Sequence, residues 1–140
     1  MWKWLQRRKE NAAHSAEPQL RGVPKHIRSK TYSAQTGYVY QYVYRGYRRL
    51  ADESGAEFLF DVSRDRASSF VVLLRLLEAD VAGCESSIGR ELLNAERYAL
   101  AKMTLFAVFD EQTEISKLAT PSNIRADFME TTLRALGRID

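Results

Sequence analysis

The stretch that decides the fold reads Tyr38-Val39-Tyr40-Gln41-Tyr42-Val43-Tyr44-Arg45, with tyrosine at every even position. Side chains alternate across a strand with period two. Tyr38, Tyr40, Tyr42 and Tyr44 therefore share one face, and Val39, Gln41, Val43 and Arg45 share the other. Aromatic and β-branched residues favour such a pleated surface. Gly46, inside the run, marks a bulge or a close backbone approach. Arg48 and Arg49 close the strand, and Asp52 to Gly55 supply turn chemistry.

Working outward, Glu57 to Ser63 alternates Phe58, Phe60 and Val62 against Glu57, Leu59 and Asp61. This is a second, half-buried strand, joined to the first as an antiparallel hairpin. Phe70 to Leu77 reads two ways. As a helix it would be capped by Ser69, stopped by Gly83 and striped by Phe70, Leu73, Leu74, Leu77 and Val81. The polar loop Arg64 to Ser69 and the marginal stability of a two-stranded sheet favour a third strand, followed by a short helix near Glu78 to Ser87. Asn94 is placed to cap a long helix running to about Asp110. That helix carries two apolar stripes, one through Tyr98, Ala101, Leu105, Val108 and Phe109, the other through Ala95, Ala99, Met103 and Phe106. Two stripes imply burial on two sides: either this is the central core helix, or it packs on the sheet and on a partner chain. A loop with Pro121 leads to a last amphipathic helix, Ile124 to Leu136, stopped by Gly137.

Strands followed by helices make the fold class α+β: an antiparallel meander of about three strands, then two or three helices packed on one face. The 140 residues suit one domain, placed at residues 34–140. Residues 1–33 contain Pro18 and Pro24 and no sustained period, and are expected to form a disordered basic arm. Residues 1–30 hold eight Lys/Arg against two acidic residues, a net +6, while the other 110 hold thirteen against sixteen, a net −3. A basic arm on a mildly acidic body suggests contact with an anionic surface. Trp2 and Trp4 beside Arg7 and Arg8 form a minimal interfacial anchor for weak, salt-sensitive contact with anionic membrane. No apolar run approaches the length of a membrane span, and no basic start precedes an apolar run as in a secretory signal. With a single cysteine, the simplest expectation is a cytoplasmic protein.

Catalytic chemistry is poorly supplied. His14 and His26 both lie in the first 30 residues. Cys84 has Glu85 beside it and no histidine or lysine nearby in sequence to activate it. Glu53, Glu57, Asp61 and Asp65 crowd one hairpin, but Arg64 and Arg66 flank Asp65 as in a solvated turn. Phosphate-cradling glycine patterns are absent. The expectation is a non-enzymatic protein with no metal and no cofactor.

Arg45 and Arg49, separated by three residues, are followed by Asp61-Val62-Ser63 on a strand. Together they resemble fragments of the PilZ cyclic-dinucleotide signature, which implies cyclic-dinucleotide binding. Arg66 stands where that pattern has glycine, and the two parts lie closer together than in the family.

The most specific feature remains the tyrosine face. Val39 and Val43 can complete a core face without hydroxyls, whereas buried tyrosines each need a hydrogen-bond partner, which favours tyrosines outward. Ring volume argues for tyrosines inward. An outward ladder of Tyr38, Tyr40, Tyr42 and Tyr44 beside Arg45, Arg48 and Arg49 would be a recognition surface. Tyrosine and arginine are enriched at protein interfaces, so the leading expectation is an interaction or regulatory module that binds a protein partner or self-associates. The alternative is a nucleic-acid-binding domain using the same face and the arm.

Overall fold

The computed structural model describes residues 19–140. Trp2, Trp4, Arg7, Arg8 and most of the expected arm lie outside the described residues. Five strands form one sheet in the order β1-β2-β3-β4-β5. They are β1 (Lys30–Ser33), β2 (Val39–Arg49), β3 (Gly55–Arg64), β4 (Ser68–Leu77) and β5 (Ser122–Asn123). The first four form an antiparallel meander, and β5 lies parallel to β4. Helices α1 (Glu78–Ile88), α2 (Asn94–Glu111), α3 (Ile115–Leu118) and α4 (Ala126–Ala135) complete the chain. The fold is α+β, and residues 70–77 are strand. β4 follows directly from the Arg64–Ser68 hairpin turn, and pairing along its whole length with β3 satisfies its backbone.

Two boundaries differ from the sequence reading. The arm expected over residues 1–33 ends earlier. Lys30–Ser33 pair with Val39–Tyr42 as β1, and Arg21 forms an isolated bridge to Tyr47 further along β2. Four residues give too short a period to announce a strand, and a bridge across 26 positions has no local signature. The loop expected before the last helix also holds α3 and β5.

The core lies between one face of the sheet and the helices. Tyr40, Tyr42, Phe58, Phe60, Val62, Val72, Leu74 and Leu76 meet Leu100, Ala101, Leu105 and Phe109 of α2 and Met129 and Leu133 of α4. The tyrosine face therefore points inward, against the outward reading: Tyr40 is 0% exposed and Tyr42 4%. Volume decided it. Tyr40 stacks on Phe109 with ring centroids 4.0 Å apart, and Tyr42 meets Phe60 and Phe106 edge-on. Two valines could not fill that space.

Only one stripe of α2 is buried. Leu105 and Phe109 are fully covered, whereas Ala95 is exposed and Met103 and Phe106 are partly so. Phe106 needs no partner chain for its cover, because Tyr32 of β1 stacks on it at 4.2 Å. The Tyr32 hydroxyl donates to Asp110 Oδ2 at 2.6 Å, and the Gln35 amide donates to Oδ1 of the same carboxylate. That carboxylate pushes the tyrosine pKa up to about 12. The β1 edge is thus clamped to the end of α2.

Candidate functional site

A strand would normally keep odd residues off the tyrosine face. The bulge in β2 changes the parity. Tyr44 pairs with Phe60, Gly46 with Leu59 and Tyr47 with Phe58, so Arg45 is the extra residue and Tyr47 joins Tyr44 on the core side. Gly46 adopts φ +127°, and a Cβ there would stand 2.6 Å from the Arg21 carbonyl oxygen. Its missing side chain lets residues 20–23 run as a strap along β2. The Tyr47 amide donates to Arg21 O at 2.9 Å, and the Arg21 amide donates to Tyr47 O at 2.7 Å.

Between the strap, the ends of β2, β3 and β4 and the first turn of α2 lies a cleft of about 770 Å³. Tyr44, Tyr47, Phe58 and Tyr98 supply its aromatic wall, and Arg21, Arg49 and Arg97 its cationic groups. The rings touch: Tyr44 to Tyr98 is 4.7 Å between centroids and Tyr47 to Phe58 is 5.5 Å. Burial, with Tyr98 and Tyr47 close by, pushes the Tyr44 hydroxyl far above its usual range; burial raises Tyr98 as well. These phenols stay neutral and keep a proton to donate. Arg97 pairs with Glu78 at 3.1 Å, and Arg49 pairs loosely with Glu53 at 3.8 Å in solvent. Among the described residues no carboxylate pairs with Arg21. The first turn of α2 adds the positive end of an 18-residue helix.

The expected site residues are dispersed. Tyr40 and Tyr42 are core. Tyr38 is half-buried at the far end of β2, with the Arg64 guanidinium 3.9 Å above its ring. Arg45 and Arg48 leave the tyrosine face entirely. Arg45 meets the buried Asp61 at 3.4 Å, and Arg48 shares Glu57 with Arg75 at 2.8 and 2.9 Å, in cross-strand register. Only Tyr44 and Arg49 belong to the cleft. Arg45 and Arg49 lie on opposite faces of β2, so they do not converge as the PilZ resemblance implies. The hairpin carboxylates are likewise structural: besides the pairs above, Asp65 accepts from the Val39 amide. Cys84 is buried, and burial raises its pKa.

Tyr47, Tyr98, Arg21 and Arg97 were missed. Gly46 was the available signal for Tyr47, since a bulge resets strand parity. Nothing local marks the others, which converge through long-range packing. Among the described residues no helix is long and apolar enough to cross a membrane, and no group of acidic, histidine or cysteine side chains gathers at metal-binding distance. Compared with known proteins, the chain matches no family, no curated protein and no solved structure.

Proposed function

We infer that the chain is a non-enzymatic binding module whose recognition site is the Tyr44–Tyr47–Tyr98 cleft, and that it takes an anionic partner which inserts a ring or an apolar group there. The observation that carries this reading is the cleft itself: a concave, partly aromatic site of ordinary ligand-binding size, rimmed by three arginines. The rings supply apolar area and faces for stacking, and the guanidiniums select for negative charge. The lining favours binding over catalysis. Among the described residues it contains no histidine, cysteine or serine, and the two carboxylates they supply, Glu53 and Glu78, are each engaged by an arginine. The reading keeps the interaction module expected from the sequence and moves its surface from the strand face to the strand end.

A flat fluorescent anion, anilinonaphthalene sulfonate, tests it on the full chain. Saturable fluorescence enhancement is expected. Ala95→Trp, from an exposed helix position on the cleft wall, should abolish it without lowering the melting temperature. Dye binding that is absent, or unchanged in the blocked variant, would overturn the reading.

A further inference from the structure

A second groove, of about 300 Å³, opens beside the cleft and shares two of its rings, Tyr44 and Tyr98. Lys25, His26, Arg28 and Lys30 wall its other side. All four are exposed, and among the described residues no carboxylate pairs with them. From Pro18 to Ala51 the chain holds seven Lys/Arg and no Asp or Glu. Lys102 of α2 comes up against Lys30 of β1, and burial together with that neighbour holds its ammonium below the usual range. Like charges are thus gathered here, and no carboxylate of the described residues pairs with them. Cations in a row and rings in the adjoining cleft are the two halves of a single-strand site: the cations follow phosphates, and each ring takes the face of an unpaired base.

Building on the cleft reading above, we propose that this chain binds single-stranded nucleic acid, with the phosphodiester backbone along the Lys25–Lys30 groove and a base in the Tyr44–Tyr47–Tyr98 cleft. A strand fits better than a free nucleotide, because the cations run from Arg21 to Lys30 across two joined concavities. A duplex cannot offer a base to the cleft without opening. The acidic remainder of the chain confines contact to this strip, so few phosphates are engaged and the affinity is modest.

The test is fluorescence anisotropy of an end-labelled oligothymidylate of about 12 nucleotides with the full chain, at roughly 50 and 200 mM salt. About three phosphate contacts predict an affinity loss of roughly twentyfold across that range. Lys25→Glu with Arg28→Glu should weaken binding at least about tenfold and flatten the salt dependence, with no change in melting temperature. Tyr98→Leu should weaken binding and leave the salt dependence alone; if it lowers the melting temperature, Ala95→Trp serves in its place. No binding at low salt would overturn the proposal. So would a duplex of equal length that binds as well as the single strand and ignores the cleft variant. A glutamate-rich peptide carrying one phenylalanine that enters the cleft and is blocked by Ala95→Trp, while the oligonucleotide does not bind, would overturn this proposal and leave the cleft reading standing.

Discussion

Tyr40 stacks on Phe109 within the core, yet its hydroxyl is buried with no hydrogen-bond partner among the described residues. Two effects therefore oppose each other at one residue. A buried aromatic ring lost to a small side chain costs about 3–5 kcal/mol, whereas an unsatisfied buried hydroxyl costs about 1–3 kcal/mol. The ring wins, which is why the tyrosine face points inward. The hydroxyl rule failed as a guide here because it sets the cost of the polar atom without the volume beside it. Two substitutions separate the terms. Tyr40→Phe keeps the ring, removes the orphan and should raise the urea midpoint or leave it unchanged. Tyr40→Ser should destabilise by roughly 3–5 kcal/mol. If Tyr40→Phe destabilised as much as Tyr40→Ser, the hydroxyl would have a partner and the packing account would be wrong.

Among the elements, the long helix shows how a buried charge can organise a junction. Glu96 sits in the first turn of α2, 1% exposed. It accepts two hydrogen bonds from Arg90 at 2.8 Å, one from the Leu93 amide at 2.9 Å and one from Arg138 at 3.3 Å. The α1–α2 loop and the end of the chain are thereby pinned to one carboxylate. The Arg90 guanidinium is the first cause that holds its pKa down to about 2. A depressed carboxylate stabilises the fold above its unfolded pKa, near 4.3, and loses that contribution as pH falls towards 2. Glu96→Gln should thus cost on the order of 2 kcal/mol at neutral pH, discounted because both arginines are partly solvated, and the gap to wild type should close between pH 4.5 and 2. A gap independent of pH would show that the carboxylate's shape, and not its charge, holds the junction. This element also marks what sequence reading can reach. The 18-residue span, its first-turn acid and the inward Leu105 and Phe109 follow from local pattern. So do β2 and β3, with their alternation, whereas the unbroken apolar run of β4 fits helix and strand alike until the hairpin with β3 decides it. The arginine partners of Glu96 come from 6 and 42 positions away, and β1 and the strap show only when β2 is present to pair with them. The cleft was half legible for the same reason: Tyr44 and Arg49 lie on the strand that announced itself, whereas Arg21, Arg97 and Tyr98 arrive by tertiary packing.

At the scale of the whole molecule, residues 19–33 join the two halves of the structure. They supply β1, whose Tyr32 covers Phe106 and bonds to Asp110 on α2, and the strap, whose Arg21 exchanges two backbone hydrogen bonds with Tyr47. They also supply one wall of both concavities. The low apolar content and exposure of this segment argue for a weak contribution to stability. Edge chemistry argues the opposite. Without β1 and the strap, β2 becomes an open edge rich in tyrosine and valine, with unpaired amides along its length. The second effect should win, because it combines lost ring stacking, lost ladder hydrogen bonds and an aggregation-prone edge. Two chains that differ only in this segment, one beginning at Gln19 and one at Ala34, isolate it. The shorter should melt at least about 5–10 °C lower, as a loss of roughly 2 kcal/mol implies for a domain of this size, and should self-associate as its concentration rises. Its far-ultraviolet helical signal should persist at low temperature, since α2 still packs on β4 and α4 on α1 and α2. Equal melting of the two chains would mean that the strap and β1 rest on the sheet without holding it. The cleft would then have a wall too loosely held to keep Arg21 and Tyr47 in place before a ligand arrives.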